Sequence, residues 1–384
     1  MLKVAKFRSP QIALDCRYLG PRPSGIGEVV AALVRHLPAL APDCQFLFLR
    51  HPLHEGRLSD ANNVREVIVH SPANGPITML HLPLAVDLQG VDLFHAPANI
   101  LPGGLSMSAI TTVHDVMWLT HPKWCNPAPW GRIEQRFYRH GIMRALERSA
   151  MVATVSEASR AEIVRISPAS ANRVVVTRSG VADDFRPTSP DAVALARMGL
   201  LPERRYVLIV GQGAPYKNHE SALRAFALAC GSSPDVDLVL VQRRAGRAKE
   251  LTNLARALGI ESRIRVLEPI DRSALVQLYS GAAALLHPSF IEGFGNPVAE
   301  AMACGCPVVT SDCSAMPEVA GGAAILADPH NPGSIAAALS RVMQDPALAA
   351  ELRQLGLARA AQLDWRAFAA ANLALYRKVL GAPA

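Results

Sequence analysis

The sequence predicts an α/β protein made of two parallel-sheet domains. Short apolar runs alternate with helix-period stretches along the chain. The alternation pauses at a loose, proline-containing segment, 183–203, and then starts again. A length of 384 residues suits two domains better than one. Crossover helices between strands are what a parallel sheet requires, so the alternation and the fold class are one statement.

In the first half, QIALD (11–15) is the first expected strand. GPRPSGIG, from Gly20 to Gly27, leads into the apolar-periodic helix EVVAALVRHL. A strand, a glycine turn and a helix form a layout in which backbone N–H groups approach a phosphate, and here Gly25 and Gly27 supply the backbone. A dinucleotide fingerprint needs a third glycine, and that position is Val30, which argues against nicotinamide binding. A plain surface turn is the alternative. Further strands are expected at QFLFL (45–49), VREVIVH (64–70), VDLFHAP (91–97) and AITTVHDV (109–116). The last of these closes on His114 and Asp115, ahead of the loop HPKWCNPAPW. Functional residues gather where parallel strands end, so His114 is read as functional, against a structural histidine as the alternative.

Residues 131–150 read as a helix in which Arg132, Arg136, His140, Arg144 and Arg148 recur every four residues with Arg139 nearby. Ile133, Phe137, Met143 and Leu146 are left for the buried side. The basic stripe is either a solvated face or a docking surface for an anionic lipid-linked acceptor or an acidic membrane. MVATVS (151–156) and VVVTRSG (174–180) complete the first sheet.

The second half has expected strands YVLIVG (206–211), VDLVLV (236–241), IRVLE (264–268), AALLH (283–287) and PVVTS (307–311), with helices such as HESALRAFALAC between them. After its first strand comes GQGAPYKNHE, which puts Lys217 at a strand-to-helix turn where an ammonium can meet a phosphate. The stretch HPSFIEGFGNPVAEAMACGCP, His287 to Pro307, carries most of the chemistry. It reads as a strand end, a turn with Gly293 and Gly295, an N-cap at Asn296, Pro297 at the first helical position, and a helix to about Ala303 that stops at Gly305 and Pro307. Glu292 and Glu300 bracket the turn. A helix N-terminus with a carboxylate on each side suits an anion bonded to a group rich in hydroxyls, as in a nucleotide sugar. The final stretch, 365–380, is an amphipathic helix expected to pack across the domain junction. The expected domains are 1–188 and 189–364, with 365–384 as a closing helix.

Half of the residues are apolar and 18% are charged, as in a globular protein with large cores. No uninterrupted apolar run approaches the ~20 residues of a membrane-spanning helix, and the N-terminus does not have a secretory pattern. The seven cysteines are expected to be reduced thiols in the cytoplasm, with Cys304 and Cys306 packed in an apolar turn. A net charge of +7 points to anionic partners. Aromatics make up only 5% of the chain and no zinc-finger or ribonucleoprotein motif is present, so the composition gives little support to a nucleic-acid partner and none is expected.

The stretch HPSFIEGFGNPVAEAMACGCPVVTSD resembles the signature of retaining glycosyltransferase family 4, including the E-x7-E pair Glu292 and Glu300. SGIG (24–27), His114-Asp115, VSEASR (155–160), SGVADDFRP, PYKN (215–218) and PEVAGGAAILADP (317–329) follow that family's order over nearly the whole chain. The resemblance implies a GT-B fold, two Rossmann-like domains facing a central cleft, with the final helix crossing back to the first domain. It implies that Glu300 holds the donor ribose and that Glu292, Gly293, Phe294, Gly295 and Asn296 hold the donor sugar. Lys217 with the Gly25–Gly27 backbone would neutralise the diphosphate, and His114 would contact the sugar near the reacting carbon. The catalytic set is then His114, Lys217 and Glu292, with Arg132, Arg136, Arg139 and Arg144 as acceptor or membrane contacts.

Two positions depart from that family's pattern. Gln212 stands where the family usually has an arginine, so the helix dipole with Lys217 suffices there, or Arg178, Arg243 or Arg244 reaches in. Glu268 stands where the family often has glycine; it either accepts from a guanine or is a solvated loop residue. The resemblance implies no cofactor and no metal, a nucleotide sugar as donor, and a saccharide or lipid-diphosphate-linked acceptor at the cytoplasmic face of the plasma membrane. The expected activity is hexosyl transfer, mannose from GDP-mannose first, in polysaccharide or lipopolysaccharide assembly. UDP-glucose or UDP-N-acetylglucosamine as donor, and an inactive sugar-nucleotide-binding protein, are the alternatives.

Overall fold

The structure, a computed structural model, describes residues 8–20, 24–126, 128, 131–201, 203–242 and 247–381. They form two compact units, one running to Ser179 and taking in the segment from Trp365 onward, the other Gly180–Asp364. Each is a Rossmann-like parallel sheet with helices on its faces.

The first unit's strands are β1 (Gln11–Asp15), β2 (Gln45–Arg50), β3 (Val64–Ile68), β4 (Leu93–Ala96), β5 (Ser108–Thr112), β6 (Met151–Thr154) and β7 (Val174–Val176). Their order across the sheet is β3-β2-β1-β4-β5-β6-β7, and every pair is parallel. Alternation along each strand feeds two cores. Ile12, Leu14, Phe46 and Phe48 point to one face, under helices α1 (Gly25–Leu40) and the C-terminal helix. Ala13, Leu47 and Leu49 point to the other, under helix α2 (Gly131–Arg148), with its Ile142 and Leu146. The chain leaves β1 for β2 on one side and later returns to place β4 on the other. Such a reversal opens a crevice at the carboxyl ends of the strands, where ligands bind in open α/β sheets.

The second unit repeats the plan. Its strands are β8 (Arg205–Val210), β9 (Val236–Val241), β10 (Ile264–Leu267), β11 (Ala284–His287), β12 (Val308–Ser311) and β13 (Ile325–Ala327). The order β10-β9-β8-β11-β12-β13 puts the reversal at β8 and β11. Val207, Ile209, Phe226, Leu238, Leu240 and Leu286 build the core under α3 (His219–Cys230), and α4 (Asn296–Ala303) joins β11 to β12. β13 is an element the sequence reading lacks. It is only three residues long, and the glycines and alanines around it carry no strand period.

Two local expectations change. The segment 183–203 is not a free linker, because it is tied to the second unit. Asp191 N–H donates to Gln277 Oε1 at 2.8 Å, Thr188 N–H donates to Ser280 Oγ at 3.2 Å, and Phe185 meets Tyr279 edge-on at 6.1 Å. The division therefore falls after Ser179 and not at 188. Gly25 and Gly27 lie within the first turn of α1, not in a loop, because Ser24 caps the helix and accepts from Gly27 N–H at 3.0 Å. The C-terminal helix, α5 (Trp365–Leu380), packs on α1 and belongs to the first unit.

Candidate active site

The candidate site of the second unit forms where β8 and β11 end. β8 runs into Gly211 and a tight turn, Pro215–Lys217, which Asn218 closes in the left-handed region at φ +55°. Asn218 Nδ2 donates to Pro288 O at 3.0 Å and to Pro329 O at 2.7 Å, and Phe290 N–H donates to Tyr216 O at 2.8 Å. These bonds clamp the loop after β8 to the loops after β11 and β13. A β-carbon at position 211 would sit 3.3 Å from the Lys217 side chain, so the glycine leaves the lysine stem its channel.

Lys217 Nζ meets Glu292 Oε1 at 2.6 Å, and both side chains are nearly buried, at 9% and 11% exposure. His287, the last residue of β11, places Nε2 3.1 Å from the same oxygen, and Ser289 Oγ lies 3.2 Å from that nitrogen. The Glu292 backbone is pinned as well. Its N–H donates to Ser314 Oγ at 3.0 Å, and the same hydroxyl donates to Glu292 O at 3.0 Å, with Ser314 itself left-handed at φ +56°. Burial alone would raise the Glu292 carboxyl, but the Lys217 charge and the His287 hydrogen bond outweigh it and hold the group down to about 2. His287 is lowered by burial and by Lys217 against the pull of Glu292. His219, the first residue of α3, is pushed down to about 3 by burial and by the Lys217 charge. The cluster is thus one ammonium and one carboxylate flanked by neutral imidazoles.

Past Glu292 the chain reaches Gly295 and then α4. The N-cap is Gly295, not Asn296, and Asn296 and Pro297 are the first two helical residues. Gly295 has φ +106°, and a β-carbon there would overlap Met316 Cε, so backbone and packing both demand glycine. No side chain caps this end of the helix. Glu300, one turn further along, is buried, and its Oε2 accepts from Tyr279 Oη at 2.9 Å. Phe294 is buried beside the turn.

The other expected residues divide. Gln212 donates through Nε2 to Tyr216 Oη, so its amide serves the loop. Glu268 is exposed after edge strand β10 and does not join the Lys217 cluster. Arg178 is exposed on the first unit, and Arg243 and Arg244 lie outside the described residues. Arg247, which the sequence reading passed over, brings positive charge near His219 and is held by Glu220 and Glu250.

Gly25, Gly27 and His114 belong to the first unit, Gly25 and Gly27 after β1 and His114 after β5, with β4 between those two strands. His114 N–H donates to Asn99 Oδ1 at 2.7 Å, and its Nε2–H donates to Pro97 O at 2.8 Å. A carbonyl only accepts, so the ring carries its proton on Nε2 and its lone pair on Nδ1. Burial lowers the His114 pKa, which keeps the ring neutral at neutral pH.

The stripe on α2 is broken. Arg132, Arg136 and Arg139 are exposed. Arg144 is instead structural, since its guanidinium donates to the carbonyls of Met79 and Leu101. Ile133, expected on the buried side, is 73% exposed, whereas Leu146, expected there as well, is buried together with Ile142 and Ala145. At Gly141 the helix packs tightly, and a β-carbon there would stand 2.6 Å from Ile100 Cγ2. No helix among the described residues is long and apolar enough to cross a membrane. Cys304 and Cys306 are buried thiols pushed up to about 12 by burial.

Comparisons with known proteins bear on the family and the fold. Residues 196–358 match the family model of glycosyl transferases group 1. The chain is 33% identical over 275 residues to the O-antigen chain mannosyltransferase B of Escherichia coli, covering 71% of each. It is 32% identical over 238 residues to a D-inositol 3-phosphate glycosyltransferase of Thermobispora bispora, covering 59% of this chain and 55% of that relative. Among solved structures, sucrose-phosphate synthase from Thermosynechococcus elongatus superposes with a TM-score of 0.76 at 22% identity, over 97% of this chain and 99% of that one.

Proposed function

Because the chain belongs to the group 1 glycosyl transferases, we propose that it transfers a hexose, with retention, from a nucleoside diphosphate sugar to a saccharide or lipid-diphosphate-linked acceptor. The donor in this reading is GDP-mannose, and the setting is polysaccharide or lipopolysaccharide assembly. The observation that carries the reading is the buried Lys217–Glu292 pair, 2.6 Å apart at the carboxyl ends of β8 and β11. It supports a site that takes an anion and a polyol together. Mannose is supported by the 33%-identical E. coli relative, an O-antigen chain mannosyltransferase by name.

In this reading the leaving diphosphate replaces Glu292 as the partner of Lys217. The uncapped N-terminus of α4 adds backbone N–H groups and the positive end of its dipole. Glu292, released from the lysine, accepts from sugar hydroxyls alongside the 293–296 backbone. Glu300 accepts from the ribose hydroxyls. Gly25 and Gly27 bring the N-terminus of α1 to the diphosphate, and His114 offers Nδ1 to a hydroxyl near the reacting carbon. The departing phosphate oxygen takes the acceptor's proton as the new glycosidic bond forms on the face it leaves. Lys217 and helix N-termini meet the developing charge without a metal. The exposed Arg132, Arg136 and Arg139 supply a cationic docking face for an anionic lipid-linked acceptor or the acidic inner membrane surface.

A thermal-shift screen of GDP, UDP and their sugars tests the donor, followed by transfer assays with the nucleotide that stabilises. Stabilisation by GDP-mannose over UDP-glucose is expected. The reverse order would replace the donor with a UDP-sugar, and stabilisation by NAD alone would overturn the reading.

A further inference from the structure

The buried core of the first unit holds an ionisable pair that the proposed chemistry does not use. His95, on β4, and Tyr376, on the C-terminal helix α5, are both fully buried. His95 Nδ1 lies 2.5 Å from Tyr376 Oη, and its Nε2 lies 2.9 Å from Thr112 Oγ1 at the end of β5. The two rings meet edge-on with centroids 5.5 Å apart. An apolar pair would fill this space without desolvating polar atoms, so the polar link has a cost that packing alone does not require. Burial, then the nearby His114, pushes His95 down to about 3, so its ring is neutral. A neutral imidazole donates from one nitrogen and accepts at the other, and it therefore joins the tyrosine and threonine hydroxyls in one directed chain.

The chain of hydrogen bonds continues to the candidate site. Thr112 O accepts from Asn99 N–H at 2.8 Å. Asn99 is left-handed at φ +54°, and its Oδ1 accepts from His114 N–H at 2.7 Å. The carbonyl that holds the His114 ring belongs to Pro97, in the same turn, directly after the strand that carries His95. Every anchor of His114 named above thus sits on strand ends that His95 ties to α5.

We propose that Tyr376 and His95 are positioning residues: the C-terminal helix, through them and Thr112, sets the turn 97–99 that aims the His114 ring. The inference rests on the reading of His114 as a sugar-contacting group. It explains why a helix residue 281 positions from His95 in sequence contributes a hydroxyl to the β4–β5 junction.

The test uses the full chain labelled with 15N-histidine, with the His114 ring assigned from its loss in His114→Gln. Tyr376→Phe and Thr112→Val are compared with the core control Leu373→Met. Both relay variants should shift the His114 ring resonances and lower kcat about 10- to 100-fold at unchanged donor KM, because a misaimed contact costs rate more than ground-state binding. The control should change neither. Unmoved His114 resonances in a folded Tyr376→Phe would overturn the inference. Should Tyr376→Phe fail to fold, Thr112→Val tests the same link from the other end of the relay, and unmoved resonances there would overturn it equally. Shifted resonances with unchanged kcat would uphold the positioning link and remove His114 from the transfer reaction instead, which separates this inference from the reading it rests on.

Discussion

Lys217 and Glu292 lie 75 residues apart in sequence and 2.6 Å apart in the fold. The same oxygen of Glu292 also faces His287 Nε2 at 3.1 Å. The lysine proposed to meet the diphosphate is thus neutralised by the carboxylate proposed to meet the sugar. Donor binding in this picture is an exchange of partners between two buried charges.

That exchange predicts distinct outcomes for single and double substitutions. Lys217→Ala removes a preorganised donor and should lower turnover about 10²- to 10³-fold. It also leaves Glu292 buried without its countercharge, at a cost of about 3–5 kcal/mol. Lys217→Met with Glu292→Leu should recover most of that stability and none of the activity. Chemical denaturation and steady-state assays on the same preparations separate the two effects; a double variant that regains transfer would refute the assignment.

Acid sensitivity follows from the same cluster. Glu292 is depressed from 4.5 to about 2, so its contribution is complete above 4.5 and is lost as pH falls toward 2. His219 is depressed from 6.5 to about 3, and the unfolded chain takes up its proton first, so its contribution is lost between those values. Both signs agree, and the second unit should weaken steadily below pH 6.5. Glu292→Gln should flatten only the part below pH 4.5 and His219→Gln the part from 6.5 down to 3, as read from denaturation midpoints across pH. Equal slopes in wild type and variants would contradict the cluster's electrostatics.

Gly295 should tolerate no side chain. Alanine there faces both a positive φ of +106° and an overlap with Met316 Cε. The backbone strain alone is on the order of 1–3 kcal/mol. Gly295→Ala should lower the melting temperature and also shrink the added stabilisation by donor nucleotide, since the N-terminus of α4 moves. Retention of full nucleotide stabilisation would show that this helix end does not touch the donor.

The arginines of α2 should separate by role. Arg136→Glu with Arg139→Glu should abolish co-sedimentation with anionic vesicles at an unchanged melting temperature, and the wild-type association should fade with added salt. Arg144→Glu should instead lower the melting temperature, because its guanidinium holds the Met79 and Leu101 carbonyls. Vesicle binding that survives the double reversal would leave those arginines as a solvated face.

Much of this protein is written in local pattern. QIALD is β1 residue for residue and VDLVLV is β9, because strands buried on both faces need unbroken apolar runs. The amphipathic period of 365–380 marks α5 to the residue. Strand-end position identified Lys217 and Glu292, since a parallel sheet has one end where loops meet ligands. Where a local rule had a competitor, the sequence misled. Asn296 is a good cap by preference, yet Gly295 takes the role because only glycine survives beside Met316. Ile133 fits an apolar stripe, yet it faces solvent, while Gly141 on the same helix packs against Ile100.

The amino-acid sequence by itself thus determines the elements, their order, the two-unit α/β class and the residue types at the strand ends. The tertiary structure alone decides which of those residues meet. It joins Glu292 to Lys217 and His287, ties Tyr376 to His95, and leaves Glu268 in solvent just after an edge strand. The reason is that side-chain period is set within one element by backbone geometry. Partnership across elements depends on strand order and on the closest approaches that fix each helix's rotation, and neither repeats along the chain.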